Sequence, residues 1–303
     1  MKRRIWTVCY GVALTAFTVY ISLDTFVLRS SYQTNATQMN TAMFENEPEK
    51  TTALEETDNG TELLSSDIYQ DENITVTLKE YYEYDTHIYV ADVLLTSAEY
   101  LKTAFAEDTY GKNITEKTSA MAEAHNAVLA VNGDYYGVQE SGYVIRNGVV
   151  YRDNGNGNDI LCLYADGRME VVDSDEYTAE ELAAQGVWQA FCFGPGLLED
   201  GLVTVTEDQE VGKSMASNPR TAIGMITNNH YVFVVSDGRT HESEGLSLYE
   251  LAQFMQTLGV QTAYNLDGGG SSTMYFNGQV VNNPTTNGKI KERGVSDIVY
   301  IGS

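Results

Sequence analysis

The chain has 303 residues, with 18 Lys and Arg against 43 Asp and Glu, so its formal net charge at pH 7 is −25. An apolar share of 43% and an aromatic share of 11% exclude a wholly disordered chain, because this composition can build a hydrophobic core. The acidic balance argues against nucleic acid as the main partner, since a phosphate backbone needs clustered Lys and Arg.

The first predicted element is a membrane-spanning helix. Lys2, Arg3 and Arg4 precede an uncharged apolar run at residues 5–23, which as a helix would be about 28 Å long, close to the roughly 30 Å hydrocarbon core of a bilayer. The leading basic residues predict that the amino end stays in the cytoplasm. We therefore predict a single-pass signal anchor over residues 1–28, with the rest of the chain outside the cell. A cleaved signal peptide is the alternative, and a buried core helix is disfavoured because the run has no polar face.

The next segment, residues 29–70, is rich in Ser, Thr, Asn and Glu and poor in apolar residues. Such a segment cannot bury enough surface to offset the entropy lost on ordering. We predict an acidic disordered linker over 29–70, which holds the following domain away from the membrane, and a single folded domain over 71–303.

Within that domain, short β-type runs alternate with two-residue turns, which are the strongest local signal for β-hairpins. The turns are Asn147-Gly148, Asp166-Gly167, Asp200-Gly201, Asn228-Asn229 and Asn277-Gly278. Extensive antiparallel sheet follows from this pattern.

A few helices are expected between the strands. Thr178 with Glu181, and Ser247 with Glu250, fit the capping box that begins a helix. A third helix is expected over 116–124, with strands following at 127–131 and 262–266. The predicted fold class is α+β: antiparallel-rich mixed sheets with a few packed helices, preceded by a transmembrane helix and a disordered linker.

The segment at residues 265–274 is the first candidate for chemistry, because a predicted strand there ends at a carboxylate, three glycines and three hydroxyls. Asp267 lies at the strand end, and Gly268, Gly269 and Gly270 allow positive φ or a close approach of the backbone to a ligand. Exposed amides of this kind can hold an anionic oxygen, and Ser271 and Ser272 add donors. A structural turn is the alternative.

Three further segments also end predicted strands with polar residues. Asn132-Gly133-Asp134 offers a second carboxylate, with an ordinary turn as the alternative. Arg220 is a candidate phosphate clamp through its bidentate fork, or a structural ion-pair partner. Asp237-Gly238-Arg239 brings another carboxylate and another Arg, with a plain Asp-Gly turn as the alternative.

Together, these segments resemble the phosphodiester glycosidase family. The Asn265-Leu266-Asp267-Gly268-Gly269-Gly270-Ser271-Ser272 run, the Asn218-Pro219-Arg220-Thr221-Ala222-Ile223-Gly224 run and the Asn132-Gly133 turn occur in the family's order. The resemblance covers roughly residues 127–301. One departure is Asp134, because many relatives have a second Gly at this position, so its role carries over less firmly than that of Asp267 or Arg220.

The resemblance implies hydrolysis of a sugar-1-phosphodiester, of the N-acetylglucosamine type, at the anomeric carbon and on cell-surface glycans. Asp267 would then be the catalytic carboxylate, with Asp134 or Asp237 as its partner. The phosphodiester would be held by Arg220 and the three glycine amides, and oriented by Ser271 and Ser272. Asn132 and Arg239 complete the expected substrate-binding set.

Two further questions stay open at the level of sequence. The same cleft could serve a non-catalytic glycan-binding or exopolysaccharide-assembly protein of the cell envelope. No cofactor and no metal ligand set is predicted, because three Cys and four His show no zinc-ligand spacing. A divalent cation held by carboxylates and hydroxyls is not excluded.

Overall fold

The computed structural model of the protein describes residues 2–32, 44, 62–155, 157–210 and 217–303. The α-helices of these residues are α1 (Lys2–Phe26), α2 (Thr118–Ala124), α3 (Ala179–Ala184) and α4 (Leu248–Thr257). The strands, in chain order, are β1 (Ser30–Ser31), β2 (Glu62–Gln70), β3 (Ile74–Glu83), β4 (Thr86–Leu95), β5 (Leu101–Phe105), β6 (Gly111–Lys112), β7 (Glu116–Lys117), β8 (Leu129–Asn132), β9 (Val144–Arg146), β10 (Val149–Arg152), β11 (Asp159–Tyr164), β12 (Met169–Asp173), β13 (Val187–Phe191), β14 (Gly196–Glu199), β15 (Leu202–Val203), β16 (Arg220–Thr227), β17 (His230–Ser236), β18 (Thr262–Asn265), β19 (Met274–Phe276), β20 (Gln279–Val280), β21 (Thr285–Thr286), β22 (Lys289–Ile290), β23 (Gly294–Val295) and β24 (Asp297–Ile301).

Three antiparallel sheets form the body of the domain. The largest has the strand order β15-β14-β18-β16-β17-β4-β3-β2, and the two five-stranded sheets run β20-β19-β8-β24-β5 and β10-β9-β13-β11-β12. All five predicted turns join neighbouring antiparallel strands, because short turns keep adjacent segments in register. The predicted α+β class is confirmed.

The central strand β17 shows why the large sheet is stable. Tyr231, Phe233 and Val235 face the core shared with the sheet of β8, whereas Val232 and Val234 face the core beneath α4. Side chains alternate between the two faces of a strand, so a strand buried on both faces needs a continuous apolar run. Each fully buried side chain of this kind contributes roughly 1.5–3 kcal/mol.

The helices begin at the predicted caps. The hydroxyls of Thr178 and Ser247 accept from the backbone amides of Glu181 and Glu250, and both glutamates return a bond to the cap, which completes two capping boxes. Helix α2 begins at Thr118, two residues after the predicted start, because Glu116–Lys117 is paired as a strand with Gly294–Val295.

Both ends of the predicted linker over 29–70 are paired as β-strands. Ser30–Ser31 pairs with Gly111–Lys112, and Glu62–Gln70 forms the edge strand of the large sheet beside β3. Backbone hydrogen bonds to an existing sheet edge order these segments without requiring an apolar sequence. The rest of the predicted linker, residues 33–43 and 45–61, lies outside the described residues.

Helix α1 contains a stretch, Cys9–Phe26, that is long and apolar enough to cross a membrane. Both a signal sequence and an anchor have this character. None of the residues in that stretch is buried.

Candidate active site

Three strand ends from two sheets meet at one side of the domain. Ala222 of β16 pairs with Asn265 of β18, and the Leu266 amide donates to the Thr221 carbonyl at 2.8 Å. This register brings the residues after β18 beside those before β16. The segment 265–270 and the segment 218–220 therefore form adjacent walls.

Asn132, at the end of β8, ties the third strand to these walls. Its Nδ2 donates to the Asp267 carbonyl at 2.5 Å, and its Oδ1 accepts from the Thr221 hydroxyl at 2.9 Å. The side chain is fully buried. Asn132 therefore stabilises these walls from beneath, and it does not line the cleft between them.

The walls enclose a cleft of about 320 Å³. Its lining residues are Tyr135, Phe193, Asn218, Arg220, Arg239, Asn265, Asp267, Gly268, Gly269, Gly270 and Arg293. The charged lining residues are one carboxylate, Asp267, and three guanidinium groups. In a chain with a net charge of −25, this local excess of positive charge favours an anionic ligand.

Asp267 is nearly buried, with 9% of its surface exposed. Its Oδ2 accepts from the Ser271 hydroxyl at 2.5 Å and from Arg293 Nη2 at 3.1 Å. Burial raises the pKa of the carboxyl above its usual range, because desolvation disfavours the charged form, and Arg293 and Ser271 oppose part of that rise. Such a perturbed carboxyl in a cleft is typical of catalytic sites.

The glycines allow two arginine-bearing segments to approach this loop closely. Gly269 has φ +62°, and a Cβ there would lie 3.0 Å from Arg239 Nη2; a Cβ on Gly268 would lie 2.8 Å from the Pro219 carbonyl oxygen. The Gly269 amide donates to that same carbonyl at 2.8 Å. Gly269 lines the cleft, and its amide is already used within the protein.

The positive charge of Arg239 is less neutralised by nearby carboxylates than those of the other two arginines in the cleft. Its Nε and Nη2 donate to Asn218 Oδ1 at 3.2 and 2.6 Å. No carboxylate among the described residues lies within ion-pair distance of it. Its charge is thus oriented by a neutral amide and is available to an anion.

Arg220 is held more tightly. Its Nε donates to the Leu246 carbonyl at 2.8 Å, and its Nη2 forms an ion pair with Glu210 Oε2 at 2.5 Å. Burial lowers the pKa of the guanidinium, with a further contribution from the nearby positive charge of Arg239. The sequence predicts Arg220 either as a phosphate clamp or as a structural ion-pair partner. It lines the cleft and also has a structural ion pair, so its position is compatible with both.

Arg293 is the charged residue of the cleft that the sequence did not predict. It contacts Asp267 and Ser271, and its guanidinium carbon lies 5.9 Å from the centroid of the Tyr135 ring. Its side chain is 41% exposed. It follows a polar stretch that contains no recognisable motif. Arg293 lies 26 residues after Asp267, and no sequence signal predicts that the two are in contact.

Asp134 does not lie in the cleft. It forms a buried cluster with Arg146 and Asp297, in which Arg146 Nη2 and Nε donate to the two carboxylates at 2.8 Å each. Its other oxygen accepts from the Cys192 amide at 2.9 Å. All three charged side chains are about 1% exposed, so the prediction of Asp134 as a second catalytic carboxylate finds no support in its position.

Asp237 and Ser272 are also absent from the cleft lining. Asp237 accepts from the amide and side chain of Asn283 at 2.8 and 3.0 Å, and it holds Asn282 as well. Ser272 is fully buried. Both residues shape the loop behind the cleft.

The described residues contain no group of three or more His, Cys, Asp or Glu that could hold a metal ion.

Comparison with known sequences connects this site to a family. A sequence model described as phosphodiester glycosidase matches residues 125–302. The chain is 29% identical over 185 residues to the SPbeta prophage-derived uncharacterized protein YomE of Bacillus subtilis (strain 168), covering 57% of this chain and 28% of that protein. It is 42% identical over 66 residues to the human N-acetylglucosamine-1-phosphodiester alpha-N-acetylglucosaminidase, covering 22% of this chain and 13% of that protein.

The chain therefore spans less than a third of the length of these curated relatives. Among solved structures, the auto-inhibited catalytic domain of the zebrafish N-acetylglucosamine-1-phosphodiester alpha-N-acetylglucosaminidase has a TM-score of 0.59 at 20% identity, covering 93% of this chain and 99% of that one. A hypothetical protein from Synechocystis has a TM-score of 0.59 at 15% identity, covering 78% and 64%. These likenesses show a shared fold. The family match spans more than half of the chain, from His125 to Gly302, and includes the strand ends that form the cleft; the chain belongs to the phosphodiester glycosidase family.

Proposed function

We propose that the protein hydrolyses a sugar-1-phosphodiester, of the N-acetylglucosamine type, at the anomeric carbon. The observation that carries the proposal is the cleft itself, where a single buried carboxylate, Asp267, faces three guanidinium groups. Anion-binding donors beside one carboxylate suit a substrate in which a phosphate is the leaving group. The name of the vertebrate relatives, which act on such a bond, supports the same substrate class.

In the proposed reaction, Asp267 acts either on the anomeric carbon as a nucleophile or on the attacking water as a base. The carbon–oxygen bond to the phosphate breaks, a water oxygen takes its place, and the water's second proton is released to solvent or to the phosphate. Arg239 and Arg220 hold the phosphate oxygens, and their charge stabilises the negative charge that develops on the leaving group. Arg293 and Ser271 position the carboxylate through their contacts with its Oδ2.

The cleft has no second carboxylate among the described residues that line it. A phosphate leaves with much less need for protonation than a sugar hydroxyl, so one carboxylate beside several cations is sufficient for this leaving group. Asp267 then acts as nucleophile or as base towards water, and the configuration of the released sugar separates the two: retention follows from a covalent intermediate, inversion from direct attack.

For location, we propose that α1 remains attached as a single-pass anchor and that the domain lies outside the cell, where cell-surface glycans are available. The basic residues ahead of the apolar run support this orientation. A molecular mass of the mature chain that lacks the first 28 residues would establish the cleaved-signal alternative.

The test is hydrolysis of an α-N-acetylglucosamine-1-phosphodiester by the full chain in a phosphate-free detergent, with and without a chelator. The proposal expects release of free sugar from the diester. The matched control is N-acetylglucosamine-1-phosphate, a monoester of the same sugar, which tests whether the second ester bond is required. Binding of the diester without release of sugar would favour the glycan-binding alternative.

A further inference from the structure

The domain has a second cavity, of about 370 Å³. Its walls include four tyrosines, two cations and one carboxylate: Tyr32, Tyr110, Tyr136, Tyr151, Lys112, Arg152 and Glu140. We call this cavity the tyrosine pocket. It shares no lining residue with the cleft, although consecutive residues, Tyr135 and Tyr136, line one cavity each.

Arg152 gives the pocket an unneutralised charge. Its Nε and Nη1 donate to the backbone carbonyls of Gly142 at 2.5 Å, Gln139 at 2.6 Å and Tyr136 at 3.2 Å. Its Nη2 is buried without a hydrogen-bond partner among the described residues, and the same holds for Gln139 Oε1. Carbonyl oxygens orient a guanidinium but carry no negative charge, so the positive charge remains uncompensated.

Lys112 adds a second cation at the wall. Its side chain is 14% exposed, and its Nζ lies 3.5 Å from Glu140 and 4.0 Å from Asp24, which are long contacts to partly or largely exposed carboxylates. Buried polar groups normally find a partner. Two cations against one lining carboxylate leave an excess of positive charge, and with the unpartnered Arg152 donor this suits an anionic group.

The position of the pocket relative to α1 indicates where that group comes from. Asn113 Nδ2 donates to the carbonyls of Thr25 and Leu28 at 3.3 and 2.9 Å, so the end of the apolar helix is attached to the domain. Ser30–Ser31 then pairs with Gly111–Lys112, and the Tyr32 ring lies 5.6 Å from that of Tyr110. The pocket thus begins six residues after Phe26, where α1 ends.

Tyr32 is exposed a few residues after the end of α1, which matches the preference of amphipathic aromatic rings for the membrane–water interface. Arginine matches phosphate oxygens through several donors on one rigid group. A phospholipid headgroup supplies both surfaces, a phosphate for the cations and a glycerol and acyl region for the rings.

We propose that the tyrosine pocket binds the headgroup phosphate of a phospholipid from the membrane that α1 crosses. The inference rests on the proposed anchor and is independent of the proposed reaction. Headgroup binding would fix the orientation of the domain on the membrane surface, in addition to the attachment through Asn113.

The test uses the full chain in dodecyl maltoside, with dihexanoyl phosphatidylglycerol as the probe in equilibrium dialysis. Gln139→Glu places a negative charge beside Arg152. This carboxylate should repel the lipid phosphate and weaken the affinity of the site at least about tenfold. One equivalent of bound lipid should therefore be lost. Gln139→Met is the matched uncharged control and is expected to keep that equivalent. Retained lipid binding by Gln139→Glu would overturn the proposal.

A second variant protects the test against a folding defect and separates the two phosphate sources. Tyr32 is half exposed at the pocket edge, so Tyr32→Ala should leave the fold intact, weaken binding of the lipid and leave binding of inorganic phosphate unchanged. Equal binding of inorganic phosphate and lipid by the unmodified chain, with no effect of Tyr32→Ala on either, would overturn the lipid source. Sugar release from the diester separates this result from the proposed function, since neither residue lies in the cleft.

Discussion

The protein contains two clusters of Asp and Arg that look alike in sequence and differ in structure. In the first, Asp134 and Asp297 share Arg146 in an interior from which water is excluded. In the second, Asp267 contacts Arg293 at the wall of an open cleft, beside further cations. Asp134 and Asp267 each lie two residues after an Asn that ends a strand, Asn132 or Asn265, so the difference lies in their surroundings. A closed cluster holds the fold, whereas an open one can bind a ligand.

The pKa values of the carboxyls show that burial alone does not separate the two clusters. Burial raises the pKa of Asp267, and it raises that of Asp297 to about 7, with the nearby charge of Asp134 adding to the rise. Arg146 and Arg293 oppose the rise in their own clusters. What distinguishes the clusters is therefore access, since Asp267 lines the cleft and neither Asp134 nor Asp297 does.

The sharpest test of the comparison is Asp267→Asn. Under the proposed reaction, the amide cannot act as nucleophile or base, and turnover of the diester should fall by about 10³-fold. The fold should persist, because Asn is isosteric and can still accept from Ser271. Released sugar measures the rate, and a thermal unfolding curve measures the fold. Full turnover by a folded variant would contradict the role of Asp267.

The closed cluster should respond in stability. Arg146→Met leaves two carboxylates without their buried partner, and the free energy of unfolding should fall by about 3 kcal/mol. Urea denaturation monitored by circular dichroism measures the loss. Arg168→Met is the matched control, because Arg168 pairs with Asp166 and Glu170 at the surface, where one third of its side chain is exposed. That change should cost less than about 1 kcal/mol, and equal losses would remove the distinction between the clusters.

Arg239 tests the binding role of the open cluster. Arg239→Gln removes a charge-assisted contact with the phosphate, worth about 2 kcal/mol, so KM for the diester should rise about 30-fold with a smaller change in kcat. Steady-state kinetics at low and high salt measure both constants. Arg239→Lys should recover part of the affinity, because it restores the charge without the fork. An unchanged KM in Arg239→Gln would place the phosphate elsewhere.

The smallest expected effect is a shift of the pH profile. The pKa of Asp267 is raised above the ordinary carboxyl value of about 3.9. As the pH is lowered, the carboxylate should therefore become protonated, and activity should be lost, at a pH above that value. Arg293→Gln removes a cation that lowers this pKa, so the acid limb of kcat/KM should move to higher pH. A limb that stays in place or moves downward would show that Arg293 does not act on Asp267.

Local features of the fold were predictable from the sequence. The hairpin turns, such as Asn147-Gly148, and the capping boxes at Thr178 and Ser247 depend on residues within four positions of one another. Strand β2 was not predictable, because its order comes from pairing with β3 and its own sequence resembles a linker. The register of a sheet edge is a property of two segments together.

The candidate site divides in the same way. Asp267 and Arg220 stand in recognisable motifs, and the structure brings both to the cleft. Asp134 stands in an equally suggestive motif, but its partners Arg146 and Asp297 lie 12 and 163 residues away, so its burial could not be inferred. Arg293 has no motif at all, and only the folded chain connects it to Asp267.

The ion pair between Arg220 and Glu210 has a consequence for turnover. With Glu210 included, three guanidinium groups meet two carboxylates, an excess of one positive charge that matches the single negative charge of a diester. The phosphate liberated by the proposed reaction is a monoester, which gains a second negative charge above a pKa of about 6. The liberated product should therefore be held more strongly than the substrate as the medium becomes alkaline, and its escape would then limit the rate.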